Sequence, residues 1–334
     1  MKKIRIGQIG TGHPHAGAAF KTLRKLPDQF EIVGIAEPVP ERVCRLTERK
    51  VYHDIPVYTV EELLALEDLD AVTIETDELY LTQYALAAAE RGLHIHMDKP
   101  GGIDLPDFEK LIDTVRRNGT VLHLGYMYRY NPYVQELLRQ AKTGELGEIY
   151  SVEAHMSGHC PLNERHWLGN FPGGMLFFLG CHLIDLLLLL RGTPDEIIPL
   201  SRSTGIEGVT SEDYGMVVFT YKNGVSFAKS CAVERGGFTR RQLVVTTSKK
   251  TVELKPFETL VPEGGQVTDK VEYCTDAWFE KGVPYQTEPF DRYEAMISAF
   301  GRMAAGEIEN PYTYDYELEL YRTILKSCGV KIPD

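Results

Sequence analysis

Short runs of β-branched and other apolar residues alternate with stretches where Leu and Ala recur every three to four positions across the first 125 residues. That alternation predicts parallel strands joined by helices that cover both faces of a sheet. Residues 4–9 (IRIGQI) read as a strand running directly into Gly10-Thr11-Gly12-His13-Pro14-His15, with a helix following through Lys25. Further strands are expected at 31–36, at Val57 and Tyr58, and at 71–75, 94–97 and 120–124, giving a sheet of about six strands. After Gly125 the pattern changes to a helix over about 131–142, a strand over 149–156 and a very apolar helix beginning near Gly174. Residues 216–221 and 225–232 flank Asn223-Gly224, a two-residue turn that signals a hairpin, and 243–247 and 251–254 continue as antiparallel strands. Helical spacing around 293–303 and 316–328 ends the pattern. The expectation is α/β over residues 1–125, then an α+β domain over 126–334 with an open, mainly antiparallel sheet and helices on one side.

Length agrees, since 334 residues at roughly 150 per domain give about two domains. Apolar residues make up 43% and charged residues 25%, which places the whole chain in the globular range and leaves no segment poor enough in hydrophobics to stay disordered. The 48 Asp and Glu against 36 Lys and Arg leave a net charge of -12, so nucleic acid is not an expected partner. The longest apolar run, 186–190, falls far short of the roughly 20 residues that span a bilayer, and no targeting signal is visible. Six scattered cysteines with no C-x-x-C pair suit reduced thiols, so a cytoplasmic location is expected.

Chemistry begins at the first turn. Gly10 and Gly12 allow a tight bend and close backbone approach to a pyrophosphate at the start of the next helix, with Thr11, His13 and His15 beside them. Glu37 ends the second strand, 25 residues after Gly12, where an acid binds the ribose diol of an adenosine; this is the Rossmann arrangement and favours NAD over NADP. The third fingerprint position is His15 where a Gly is usual, so a looser or tilted turn is expected. Arg42 is near enough in sequence to reach a 2'-phosphate, although a solvated residue in a helix's first turn is the more ordinary reading. A second cluster, Asp98-Lys99-Pro100-Gly101-Gly102, follows the fifth strand at its carboxyl end, where open α/β sheets place ligands, and a Lys there can donate to a substrate oxygen. In the third, Gly173 to Asp185, a helix would put His182 and Asp185 on one face amid a very apolar segment, as a core group or as a general acid/base.

Together these residues resemble the Gfo/Idh/MocA oxidoreductases over nearly the whole chain. The resemblance rests on the G-x-G turn, on residues 92–100 (GLHIHMDKP) in place of the family's G-K-H-V-x-x-E-K-P, on Gly125-Tyr126 with Arg129 and Pro132, on Gly144-Glu145-Leu146-Gly147, and on the G-G run ending in His182-x-x-Asp185. It implies a Rossmann domain, a second domain with an open sheet that often forms oligomers, bound NAD or NADP, and a sugar or polyol substrate. By it, Lys99 holds the reacting oxygen and His182 exchanges its proton while hydride passes between substrate carbon and nicotinamide. Cofactor contacts fall to Gly10, Thr11, Gly12, His13, His15, Glu37, Thr76, Asp98 and Lys99, and substrate contacts to Tyr126, Arg129, Trp167 and Asp185. Two departures stand out. The family's Asp four residues before the His is Phe178 here, and the strand-four turn A-T-P is Glu75-Thr76-Asp77, which puts negative charge near an anionic diphosphate.

The pairs His13 and His15, and His94 and His96, lack a matching carboxylate spacing, so no metal site is expected. The rings of Tyr126, Tyr128, Tyr130 and Tyr133 suit sugar stacking and interface packing equally. Three functions stay open: an NAD-dependent sugar or polyol dehydrogenase; non-redox or redox-neutral lyase or hydrolase chemistry on the same fold, suggested by Phe178; and a silent binding or sensor protein. A sheet with one uncovered face needs burial, so a homodimer or homotetramer is expected.

Overall fold

Near-continuous apolar runs belong in strands buried on both faces, and most strands of the first sheet meet that requirement. The computed structural model describes residues 3–332 other than 47, 263, 276 and 280. Strands β1 (Ile4–Ile9), β2 (Phe30–Ala36), β3 (Val57–Tyr58), β4 (Ala71–Ile74), β5 (His94–Met97) and β6 (Leu122–Leu124) form one parallel sheet in the order β3-β2-β1-β4-β5-β6. The order reverses between β1 and β4, and ligands of such sheets bind at the carboxyl ends of the strands beside that reversal. Helix α1 (Ala16–Lys25) follows the glycine turn and buries Ala16, Ala19, Phe20 and Leu23, a three-to-four spacing that lays one stripe on the sheet. Helices α2 (Pro40–Leu46), α3 (Val60–Leu64), α4 (Leu81–Glu90) and α5 (Leu105–Asn118) fill the remaining crossovers. The side chain of Asp104 caps α5 through the Asp107 amide, and Gly119, at φ 65°, ends it.

Residues 293–321 also belong to this unit, which otherwise runs to Met127, whereas the sequence suggested one cut after 125. Packing explains the difference. Phe300, on the helix Glu294–Ala304, stacks on His123 at 5.8 Å and lies 5.7 Å from His96. Asn310 Nδ2 donates to the Leu122 carbonyl, and Tyr321 packs on Phe108 at 4.5 Å. An amphipathic helical pattern shows that a face is buried but not which core receives it.

The second unit, residues 128–292 with 322 onward, carries an eight-stranded sheet. Its strands are β7 (Ile149–His155), β8 (Glu196–Pro199), β9 (Tyr214–Tyr221), β10 (Gly224–Cys231), β11 (Gln242–Thr247), β12 (Thr251–Leu254), β15 (Asp269–Tyr273) and β16 (Val283–Gln286); β13 (Thr259–Leu260) and β14 (Gln266–Val267) form a small separate pair. The order is β16-β15-β12-β11-β7-β10-β9-β8, antiparallel except for the parallel pair β7 and β10. The edge strands β8 and β16, with β15 beside β16, have no counterpart in the sequence pattern because four or five residues are too few to show an alternation. Tyr221 pairs with Gly224, so the hairpin turn is Lys222-Asn223, one residue earlier than expected. Gly224 is instead the close-approach position, since a Cβ there would stand 2.1 Å from the Tyr150 carbonyl oxygen. Helix α6 (Pro132–Thr143) and the short α7 (Leu162–Trp167) flank the sheet segment in sequence, and α8 (Cys181–Arg191) packs on β7 and β10 with nearly every residue buried.

Candidate functional site

Gly10 holds φ +87°, and a Cβ on it would lie 2.5 Å from Thr76 Cγ2. A Cβ on Gly12 would lie 2.3 Å from Arg42 Nη1 and 2.8 Å from Asp77 Oδ2. Gly10 therefore excludes a side chain, and one at Gly12 would have to displace the paired tips of Arg42 and Asp77, which leaves the backbone open to close approach by a diphosphate. Asp77, whose charge the sequence set against an anionic ligand, is held by a forked bond from Arg42 at 2.6 and 2.9 Å. Glu37 is buried and accepts from the Thr11 hydroxyl and, at 2.9 Å, from the Val39 amide. Beside the turn opens a cavity of about 340 Å³ lined by Thr11, Gly12, Arg42, Arg45 and Arg49, with Leu46 and Glu48. These features fit a dinucleotide: two glycines against its diphosphate, and an acid and three arginines near its adenosine end.

Beneath the turn lies a cluster that the sequence did not disclose. Asp98, just past β5, brings its Oδ2 to 2.9 Å from His13 Nδ1 and 2.9 Å from His15 Nδ1, while its Oδ1 accepts the Lys99 amide at 2.7 Å. Glu78 Oε1 stands 3.2 Å from His13 Nε2, and Glu75 Oε2 stands 4.0 Å from His13 Nδ1. Burial works against charge on His13, but Asp98 and Glu78 outweigh it and raise its pKa to about 10. His15 goes the other way, to about 4, because burial dominates. Burial would raise Asp98, yet His13 and His15 hold it well below the usual carboxylate range; Glu75, buried beside Asp98, is pushed well above it. Burial and the Asp98 charge thus favour the protonated form of Glu75, which weakens the electrostatic objection to a diphosphate, as the Arg42 pair does at Asp77. His15, in place of the third glycine, is the N-cap residue of α1 at φ -85° and needs no glycine conformation. Lys99 is buried at 2% exposure, and Thr76 packs on Gly10.

His94 and His96 have other partners. His94 Nδ1 accepts the Val121 amide, and His96 Nδ1 lies 2.8 Å from His123 Nδ1 within the core, where burial lowers the His96 pKa to about 4.

In the second unit, Gly173 and Gly174 take positive φ and lead into a π-helical segment, Leu176–Gly180, immediately before α8. Extra residues in a helical turn often mark functional sites, and the apolar pattern gave no sign of this one. His182 is 2% exposed, and its ring meets the edge of Tyr128 at 4.8 Å. Asp185 lies one turn further and is gripped by Arg129, with Nε to Oδ2 at 2.9 Å and Nη2 to Oδ1 at 2.8 Å, both side chains fully buried. These two expected substrate contacts are therefore joined to each other. Trp167 is half-buried, with edge-on contacts to Phe171 at 4.7 Å and Phe178 at 5.2 Å. Phe178 is thus part of an aromatic cluster with no polar group to offer. Tyr126, in the first unit, is buried just past β6. His155 lies 2.9 Å from both Ser157 Oγ and Glu234 Oε2.

Among the described residues no helix is long and apolar enough to cross a membrane, and all six cysteines are free. Residues 4–126 match the family described as "Oxidoreductase family, NAD-binding Rossmann fold", and residues 134–253 match the GFO/IDH/MocA C-terminal domain. A D-xylose 1-dehydrogenase (NADP(+)) of Haloferax volcanii is 27% identical over 244 residues, 72% of each chain. A D-glucoside 3-dehydrogenase of Escherichia coli is 29% identical over 198 residues, 57% of this chain and 55% of that one. A 3-ketoreductase from Actinomadura kijaniata, solved with NADP and TDP-benzene, superposes with a TM-score of 0.81 at 20% identity, covering 99% of this chain and 100% of that one. With both of its units matched, the chain belongs to the GFO/IDH/MocA family of oxidoreductases.

Proposed function

We propose that this chain is a nicotinamide-dinucleotide-dependent oxidoreductase acting on a CH–OH group of a sugar, polyol or related hydroxy compound. The observation that carries the reading is the glycine turn at the reversal of the strand order, where Gly10, at positive φ and against the Thr76 backbone, has no room for a side chain and Arg42 pairs the nearby Asp77. The dinucleotide supplies hydride exchange at its nicotinamide. Lys99 donates to the substrate oxygen, stabilising the charge that develops there, and His182 takes up or returns the hydroxyl proton. The named activities of the xylose and glucoside dehydrogenases support the substrate class.

Glu37 supports NAD, as the acid that binds a ribose diol. Arg42, Arg45 and Arg49 around the Gly12 cavity support NADP, because three guanidinium groups suit a 2'-phosphate and Glu37 already accepts two hydrogen bonds. Calorimetric titration of nucleotide-stripped protein with each decides between them. Tight binding of either upholds the proposal, and no binding of both refutes it. A panel of sugars, polyols and sugar acids with the preferred dinucleotide follows, read as reduced-cofactor absorbance. Turnover should fall at least about 100-fold in Lys99→Ala and in His182→Ala.

Phe178 favours a second reading on the same fold, redox-neutral elimination or hydrolysis of a sugar derivative, since an aromatic cluster stands where the family's polar group would orient the imidazole. Product formed without net cofactor reduction, and lost in both variants, would establish it. Binding without any turnover would leave a sensor. The half-buried apolar residues Met216, Val218, Phe227 and Val244, on the sheet positions alternating with the core, support a homo-oligomer. A monomer at every concentration in light scattering would refute that part.

A further inference from the structure

Carboxyl groups outnumber the cations facing them under the glycine turn. Glu75 is fully buried, and neither of its carboxyl oxygens has a hydrogen-bond partner. Glu78 Oε1 and His13 Nε2 are likewise buried and face each other at 3.2 Å without forming a hydrogen bond. One nitrogen each of His13 and His15 and one oxygen of Asp98 lie within 4.8 Å of one another. Three carboxyl groups share this space, and buried charge of one sign is costly unless something of the other sign compensates it.

We propose that His13, His15 and Asp98 form a binding site for a divalent first-row transition cation, held at the two imidazole Nδ1 atoms and Asp98 Oδ2, with Glu75 beside it and Glu78 facing the far nitrogen of His13. Two imidazoles and a carboxylate without a thiolate suit manganese, iron, cobalt, nickel or zinc better than calcium or magnesium, which prefer all-oxygen shells. The spacing also fits. Asp98 Oδ2 lies 2.9 Å from each imidazole Nδ1, and ligand atoms bonded to one ion at about 2.1 Å and at right angles stand about 3 Å apart. Asp98 is oriented for the task, because the Lys99 amide holds Oδ1 and leaves Oδ2 toward the histidines. The unpartnered oxygens of Glu75 are the groups such an ion would satisfy, and Glu78 Oε1 is placed to accept from Nε2 of a metal-bound His13. Lys99, whose charge lowers the proton affinity of His15, opposes a second cation, and the ion must also displace the proton that Asp98 and Glu78 favour on His13. The site shares His13, His15 and Asp98 with the expected dinucleotide contacts, so the two readings need separate readouts.

The test is uptake of Co²⁺ by the full chain after stripping with a chelator, followed through the visible cobalt absorption and by elemental analysis. The expected result is one equivalent per chain, displaced by Zn²⁺, with affinity reduced at least tenfold in His15→Ala and in Asp98→Asn. His94→Ala removes an imidazole bonded to the Val121 amide and should bind as the parent does. His15 is only half-buried, so its variant is the safer of the two for folding, with circular dichroism as the check. Absence of saturable uptake by the parent protein up to millimolar Co²⁺ overturns the proposal, as does uptake that survives both His15→Ala and Asp98→Asn. Dinucleotide titration of the metal-free protein is scored separately, so failure of one reading leaves the other standing.

Discussion

Buried charge is handled differently in the two units. In the second unit each buried acid is met by a guanidinium: Arg129 forks onto Asp185, Arg165 reaches Asp213 at 3.0 and 3.2 Å, and Arg241 reaches Glu258 at 2.7 Å with the Tyr128 hydroxyl donating alongside. Around the glycine turn of the first unit, His13 faces Asp98, Glu78 and Glu75 together. Saturated pairs hold segments of chain in place, whereas an unsaturated cluster leaves capacity for a proton or a ligand. The contrast teaches that burial and charge alone do not identify a site; the balance of partners does.

The largest effect should come from breaking a saturated pair. Asp185→Ala strands the Arg129 guanidinium in the core and should cost about 3–5 kcal/mol in urea unfolding. Gly10→Ala should follow, at about 1–3 kcal/mol, because an L side chain is strained at its φ and meets Thr76; dinucleotide affinity should fall with it. Glu75→Gln sharpens the comparison from the other side. It keeps the shape of a carboxyl whose protonated form burial and Asp98 favour and whose oxygens accept no hydrogen bond, so the metal-free protein should change by less than about 1 kcal/mol, and a loss as large as that of Asp185→Ala would show that Glu75 is ionised and paired. Alkylation kinetics give a smaller, local readout. Burial pushes the Cys160 thiol up to about 12, so at pH 8 iodoacetamide should label exposed Cys44 and Cys274 well before it. Arg139→Ala, at an exposed pair with Glu145, should leave the unfolding midpoint unchanged.

Much of the first unit was legible because its signals are local. Each of β1 to β6 has its own apolar run, the glycines stand next to the strand they terminate, and Glu37 ends the next one. The carboxylate missing from the histidine pair was illegible for the opposite reason, since Asp98 lies 83 residues from His15 and only the folded sheet sets β5 near the turn that follows β1. Arg129 and Asp185 were both singled out, yet their union across 56 residues has no sequence signature. The π-helical segment escaped because Leu176 to Gly180 is apolar in any helical register, and a pattern without polar positions cannot report a change of period.

The return of residues 293–321 to the first unit has a practical consequence for anyone dividing this protein. A fragment ending at Met127 would leave His96 and His123 without Phe300, Phe108 without Tyr321 and the Leu122 carbonyl without Asn310. Grafting this nucleotide-binding half onto another protein therefore takes three splice junctions, after 127, 292 and 321, and a library of hybrids joined at a single crossover would carry an incomplete half in every member.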